Sequence, residues 1–152
     1  MVQIRKALPD DSKIISLFQE NMAMETEKII LKGSILQEGV KAVFSDASKG
    51  CYYIAEVEGK VVGCLLITYE WSDWRNGQIV WIQSVYVIPG YRRKGVFKLL
   101  YNYIKQIVEN DPHYKGIRLY VDKSNENALK VYQRLGMDGN HYQLFEWINT
   151  SE

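Results

Sequence analysis

The residues of this chain best suited to chemistry by type and spacing are three adjacent cations, Arg92, Arg93 and Lys94, followed by Gly95, Val96, Phe97 and Lys98. An apolar run ends just before them at Val87, and a helical apolar stripe begins just after, so the segment reads as strand, turn and helix start. A helix start leaves backbone N–H groups without helical partners, at the positive end of the macrodipole. Glycine there lets the backbone approach an anion closely. The chemistry implied is the holding of a phosphate or pyrophosphate. On the turn alone, a basic surface turn ahead of an ordinary amphipathic helix stands equally open. Neither Gly-x-x-x-x-Gly-Lys-Ser/Thr nor Gly-x-Gly-x-x-Gly occurs, which argues against a triphosphate loop and a dinucleotide fold.

Composition narrows the classes further. At 152 residues the chain is the size of one domain over 1–152, and its 47 % hydrophobic and 24 % charged content is that of a globular protein. No apolar run is long enough to span a bilayer, and the amino terminus does not resemble a signal peptide, so a cytoplasmic location with no membrane partner is expected. Nineteen basic and 18 acidic residues give a net charge of +1, without the basic excess a nucleic-acid partner calls for. Cys51 and Cys64 lie in strand-like runs without metal-ligand spacing and read as reduced core residues; no metal is expected. The 11 tyrosines and 4 tryptophans favour a site with apolar walls.

The elements that must position the turn follow from periodicity. Val2 to Lys6 alternates as a strand, and Pro9-Asp10-Asp11 offers acidic caps for a helix with Ile14, Leu17, Phe18 and Met22 on its apolar face. Glu25-Thr26-Glu27 reads as an acidic connection to a second helix, opened by a Ser34…Gln37 capping box and carrying Leu36, Val40, Val43 and Phe44. Cys51 to Val57 and Val61 to Trp71 are strands joined by Glu58-Gly59; Asn76-Gly77 leads into a third, Gln78 to Val87. Leu100, Tyr103, Ile104, Ile107 and Val108 stripe the helix after the turn, and Asp111-Pro112 stops it. Ile117 to Val121 is a strand, Asn125 to Leu135 a helix terminated by Gly136, and Gln143 to Ile148 a last strand. The class is α/β (α+β), a mixed sheet covered by helices.

Two motifs together resemble the GNAT superfamily of N-acetyltransferases. Its cofactor motif is Gln or Arg, two residues, Gly, one residue, then Gly or Ala; Arg92, Gly95 and Phe97 hold those positions, Phe97 in place of a small residue. Its second motif is matched at every position by Asn125, Ala128, Tyr132 and Gly136. The resemblance runs from Val2 to Trp147 and is strongest from Trp81 to Met137; the blocks Glu70–Arg75 and Trp81–Val87 look like a bacterial branch. It implies a mixed, mostly antiparallel sheet of six to seven strands with about four helices. It also implies acetyl-coenzyme A as co-substrate, held by residues 92–98, by the strand Val85-Tyr86-Val87 along the pantetheine arm, and by Asn125. Homodimers are common in that family.

The resemblance further implies direct transfer to a primary amine of a small molecule or peptide. Tyr132 is carried over as the acid beside the cofactor sulfur, a phenol of pKa about 10 against a thiol near 8.5. Free alkyl amines of pKa about 10.4 are mostly charged at neutral pH, so a base is useful. Many relatives place a Glu on the fourth strand, where this chain has Gln83-Ser84; Glu70 is then the candidate base, against a reading as a solvated carboxylate beside Arg75. On the acceptor side the family's first two helices and the loop between its third and fourth strands would supply Glu25, Glu27, Trp71, Asp73 and Trp74, suited to a cation. The same residues also read as surface charges and hairpin packing. A non-catalytic acyl-coenzyme A sensor of the same fold is the alternative function.

Overall fold

The computed structural model describes residues 1–150 and divides into two compact units, Met1–Leu119 and Tyr120–Glu152. In the first, strands β1 (Val2–Lys6), β2 (Cys51–Val57), β3 (Lys60–Ser72), β4 (Gly77–Val87) and β5 (Tyr114–Arg118) form one sheet in sequential order. Pairing is antiparallel except between β4 and β5, which run parallel. Helices α1 (Ser12–Glu27) and α2 (Gly33–Ser45) connect β1 to β2, and α3 (Val96–Asn110) makes the crossover from β4 to β5. The second unit contains α4 (Glu126–Arg134).

Alternation along the strands gives each sheet face its own helices. Tyr52, Ile54, Cys64, Leu66 and Tyr86 pack with Ile15, Phe18 and Val40 of α1 and α2; the Phe18 and Tyr86 ring centroids are 5.1 Å apart. Tyr53, in the opposite phase, lies 5.5 Å from the ring of Tyr103 on α3. On α3, Val96, Leu100, Tyr101 and Ile104 are buried at helical spacing. Leu17, which spacing puts on the α1 stripe, is 47 % exposed, and Ile15 takes the inward position.

Three local expectations are corrected. The Glu25-Thr26-Glu27 connection is helical: α1 continues through Glu27, Thr26 Oγ1 donates to Met22 O at 2.8 Å, and left-handed Lys28 ends the helix. The Ser34…Gln37 capping box does not form, because α2 starts at Gly33 with Lys32 at the cap and Ser34 already inside the first turn. The fifth strand is Tyr114–Arg118 rather than Ile117 to Val121, since its ladder begins at the foot of β4, with Gln78 opposite Tyr114.

The sheet has five strands among the described residues, not six to seven, and Gln143 to Ile148 is not one of them. A strand exists only in a ladder, and among the described residues from Tyr120 onward there is one helix and no strand. That unit does carry its expected terminator: Gly136 is left-handed at φ 84°, and Met137 N–H donates to Tyr132 O at 3.1 Å. No helix of the described residues is long and apolar enough to cross a membrane. Cys51 and Cys64 are free thiols.

Candidate active site

The β3–β4 ladder breaks at one place. Cys64 faces Tyr86 and Leu66 faces Gln83, so Leu65 alone opposes two residues, Ser84 and Val85. Ser84 is the bulged residue, with φ 54° in the left-handed region that strands avoid. Such a bulge leaves backbone groups outside the ladder, where they can meet a ligand. The Val85-Tyr86-Val87 segment expected along the cofactor arm begins here. Tyr86 turns inward, buried against Phe18, and burial followed by the Glu25 carboxylate pushes its phenol up.

A groove of about 360 Å³ opens between α1 and α2 onto this bulge. From α1 it is lined by Gln19, Met22, Ala23, Thr26 and Glu27. Leu36, Gly39 and Val40 of α2 and Leu31 form the other wall, and Tyr52 and Ser84 complete it. Glu27 is the only acidic or basic residue among these, and burial pushes the Tyr52 phenol up to about 12. Beside the groove, Gln19 Nε2 approaches Cys64 Sγ at 3.8 Å, and that thiol, pushed up to about 12 by burial, stays protonated.

Past Val87 the chain turns through Pro89–Tyr91 into the basic segment. Gly95 caps α3 at φ 79°, a conformation most side chains resist, and a Cβ added there would meet nothing within 4 Å. The first back-bond into the helix is Leu99 N–H to Gly95 O at 3.1 Å. Arg93, Lys94 and Lys98 are exposed, Val96 is buried, and Phe97 lies 6.2 Å from the Tyr101 ring. An open glycine turn at a helix start with surrounding cations fits a pyrophosphate.

Arg92 is placed otherwise than its neighbours. Its Nε donates to Val87 O at 2.7 Å, its Nη2 lies 3.0 Å from both Glu25 oxygens, and the guanidinium sits 5.3 Å above the Tyr86 ring. Arg92 and Glu25, expected on the cofactor and acceptor respectively, therefore hold each other. The ion pair ties the basic turn to the last turn of α1.

The other acceptor-side expectations separate from the groove. Trp71, Asp73 and Trp74 lie at the β3–β4 hairpin, where Ser72 pairs with Gly77. From Gly77 to Ser84 the strand covers about 24 Å at ~3.4 Å per residue, so the hairpin is remote from the bulge. Trp74 is 89 % exposed, and Trp71 packs near the His113 ring at 6.3 Å. Glu70 faces Ile79, about 17 Å from Ser84 by the same rise. Its partner is not Arg75, which donates to Ser72 Oγ at 3.4 Å; Glu70 accepts from Trp81 Nε1 at 2.6 Å and from Arg118 Nη1 at 3.1 and 3.2 Å.

Asn125 and Tyr132 belong to the second unit. Asn125 Oδ1 caps α4 by accepting from Ala128 N–H at 3.1 Å. Tyr132 is half-buried, and desolvation pushes its phenol up. The motif spacing is thus explained locally: Asn125 opens the helix, Ala128 receives its cap, and Gly136 closes it.

The sequence profile of the Acetyltransferase (GNAT) family matches residues 16–137, from α1 through the groove, bulge, basic turn and α4. The chain belongs to that GNAT family. Its structure is similar to that of a possible acetyltransferase from Clostridium difficile 630, with 46 % identity, TM-score 0.91 and 99 % of each chain covered. In sequence it is 24 % identical to the spermine/spermidine N(1)-acetyltransferase of Bacillus subtilis, over 89 % of this chain and 87 % of that one. It is 31 % identical to an N-alpha-acetyltransferase of Saccharolobus solfataricus, over 55 % of this chain and 54 % of the other. The chain spans about half the length of this last relative.

Sequence reasoning missed most of this groove. Met22, Leu36 and Val40 carry the same helical spacing whether they face a core or a cleft, so their pattern alone could not separate the two. The break at Ser84 is visible in the register of the ladder. Gln83 and Tyr86 are an odd number of residues apart yet stand opposite Leu66 and Cys64, which are two apart, so strict alternation fails there.

Proposed function

We propose that this GNAT domain, taken over residues 1–152, is an N-acetyltransferase that moves the acetyl group of acetyl-coenzyme A directly to a primary amine. The observation that carries this reading is the bulge at Ser84–Val85, which opens onto a groove near the C-terminal end of β4, the same end from which the chain runs on into the basic glycine turn. Donor and acceptor would then meet along a single strand.

Acetyl-coenzyme A supplies the thioester. The turn from Arg92 to Lys98 would hold its pyrophosphate through backbone amides and the cations Arg93, Lys94 and Lys98. Val85, Tyr86 and Val87 would pair their backbone with the pantetheine arm, and an N–H freed by the bulge would donate to the carbonyl oxygen as it gains charge. By motif position Asn125 would contact the arm through its amide N–H₂, since its Oδ1 caps α4. Tyr132 would give its proton to the departing sulfur as the amine nitrogen bonds to the carbonyl carbon and the C–S bond breaks. Burial pushes this phenol up, so it is in the protonated form that the donor role requires through the neutral range. Water takes the ammonium proton, with no dedicated carboxylate at the bulge. The protonated, buried Cys64 supports direct transfer over an acyl-enzyme.

The two relatives named above mark polyamines and α-amines as acceptor classes to compare. The test is thiol release and product mass with acetyl-coenzyme A over a panel of polyamines, aminoglycosides, amino acids and peptides. Transfer to any of them upholds the reading. Tight acetyl-coenzyme A binding without turnover of any amine would assign the chain to the acyl-coenzyme A-binding alternative.

A further inference from the structure

Resting on that transferase reading, we propose that the acceptor is the α-amine of a peptide whose first side chain is apolar, with that side chain seated in the groove between α1 and α2.

The groove's chemistry is the first support. Its walls are chiefly Met22, Ala23, Leu31, Leu36 and Val40, and no lysine or arginine lines it. At about 360 Å³ it lies at the small end of ligand sites, near 300–1,000 Å³. An apolar side chain gains by leaving water there, whereas a charged one would be desolvated without a partner of opposite sign, or, for a cation, with Glu27 alone. A polyamine needs several carboxylates, and this groove offers that single one at the end of α1.

Proton chemistry is the second support, and it is independent of shape. An alkyl amine of pKa about 10.4 is only about one part in 10³ neutral near pH 7.5, so its acetylation calls for a base. Two of the carboxylates that could serve are engaged elsewhere. Glu25 is held by Arg92, and Glu70 is held by Arg118 and Trp81 some 17 Å along the strand by the usual ~3.4 Å rise. Glu27, the last residue of α1, is the single carboxylate lining the groove. A peptide α-amine, of pKa about 7.7–8.0, is already roughly one-third neutral at pH 7.5 and can attack with water as the proton acceptor. Its backbone amides also suit the polar groups of Gln19, Thr26 and Ser84 in the same groove.

The experiment compares kcat/KM for short peptides that differ only in a first residue of Leu, Met, Ala, Asp or Lys. Spermidine and an Nα-blocked lysine peptide complete the panel, with mass spectrometry locating the acetyl group. Leu- and Met-first peptides are expected to exceed Asp-first peptides, spermidine and the blocked peptide at least tenfold. Gly39→Leu then fills the groove: a Cβ at Gly39 meets nothing within 4 Å, and leucine favours the helix. It should cut kcat/KM for the Leu-first peptide at least tenfold, change the Ala-first value little, and leave acetyl-coenzyme A affinity as it was. Better transfer to spermidine or to the blocked lysine peptide would overturn this inference and leave the transferase reading standing. Indifference of Leu-first turnover to Gly39→Leu would overturn the seating of the side chain. Bound acetyl-coenzyme A with no transfer to any amine would overturn both readings.

Discussion

Arg92 and Glu25 stand 67 positions apart and are joined by Nη2 contacts of 3.0 Å to both carboxylate oxygens, while Arg92 Nε holds Val87 O at 2.7 Å. The side chain of the motif arginine is thereby turned toward α1 and the end of β4. Glu25→Gln is expected to cost less than about 1 kcal/mol in denaturant unfolding, since both side chains are some 40 % exposed and water screens such pairs. It should not weaken acetyl-coenzyme A in calorimetry, because it releases a cation next to the turn. A tenfold loss of cofactor affinity would show that the pair shapes the turn itself.

Gly95→Asp tests the turn directly. The substitution places a carboxylate where a pyrophosphate is proposed, on a residue at φ 79°. Acetyl-coenzyme A affinity should fall at least tenfold, about 1.4 kcal/mol or more. Undiminished affinity would put the pyrophosphate elsewhere.

Tyr132→Phe should lower kcat at least tenfold with acetyl-coenzyme A affinity unchanged. The pH profile carries the sign. Burial raises this phenol, so the proton-donating form is fully present below the ordinary value of about 10 and is lost only above it. The wild-type rate should therefore show no alkaline decline from this group below about pH 10. Retained turnover in the Phe variant would remove Tyr132 from the chemistry.

Glu70→Gln separates a base from a brace. Oε1 remains to accept from Trp81, while the charge facing Arg118 is lost. Turnover should stay within about threefold, with a stability loss of about 1 kcal/mol for a partly exposed pair. A fall of a hundredfold would restore Glu70 as the proton acceptor.

What could be read in the sequence is what is local. The basic turn and the Asn125-Ala128-Tyr132-Gly136 spacing are complete within a few residues each, and their caps and left-handed glycine form as the pattern requires. The Arg92–Glu25 pair and the Glu70–Arg118 pair join residues 67 and 48 positions apart, and no spacing rule connects such residues. Boundaries slipped where backbone geometry outranked side-chain type, as at Ser34, which reads as a cap yet lies inside α2. Gln143 to Ile148 has strand composition, but a ladder depends on a partner that composition does not name.

Ser84 is an extra residue. Leu65 faces both it and Val85, and the ladder resumes at Cys64 and Tyr86 as if one position had been skipped. Its removal would restore strict counting and leave every residue from Val85 onward on the face it already occupies. A single-codon deletion is therefore expected to give a protein with a healed sheet and native-like thermal unfolding, but without the freed N–H proposed to meet the acetyl oxygen. Such a folded, silent counterpart would serve as the blank against which the weak turnover of a poor acceptor can be measured.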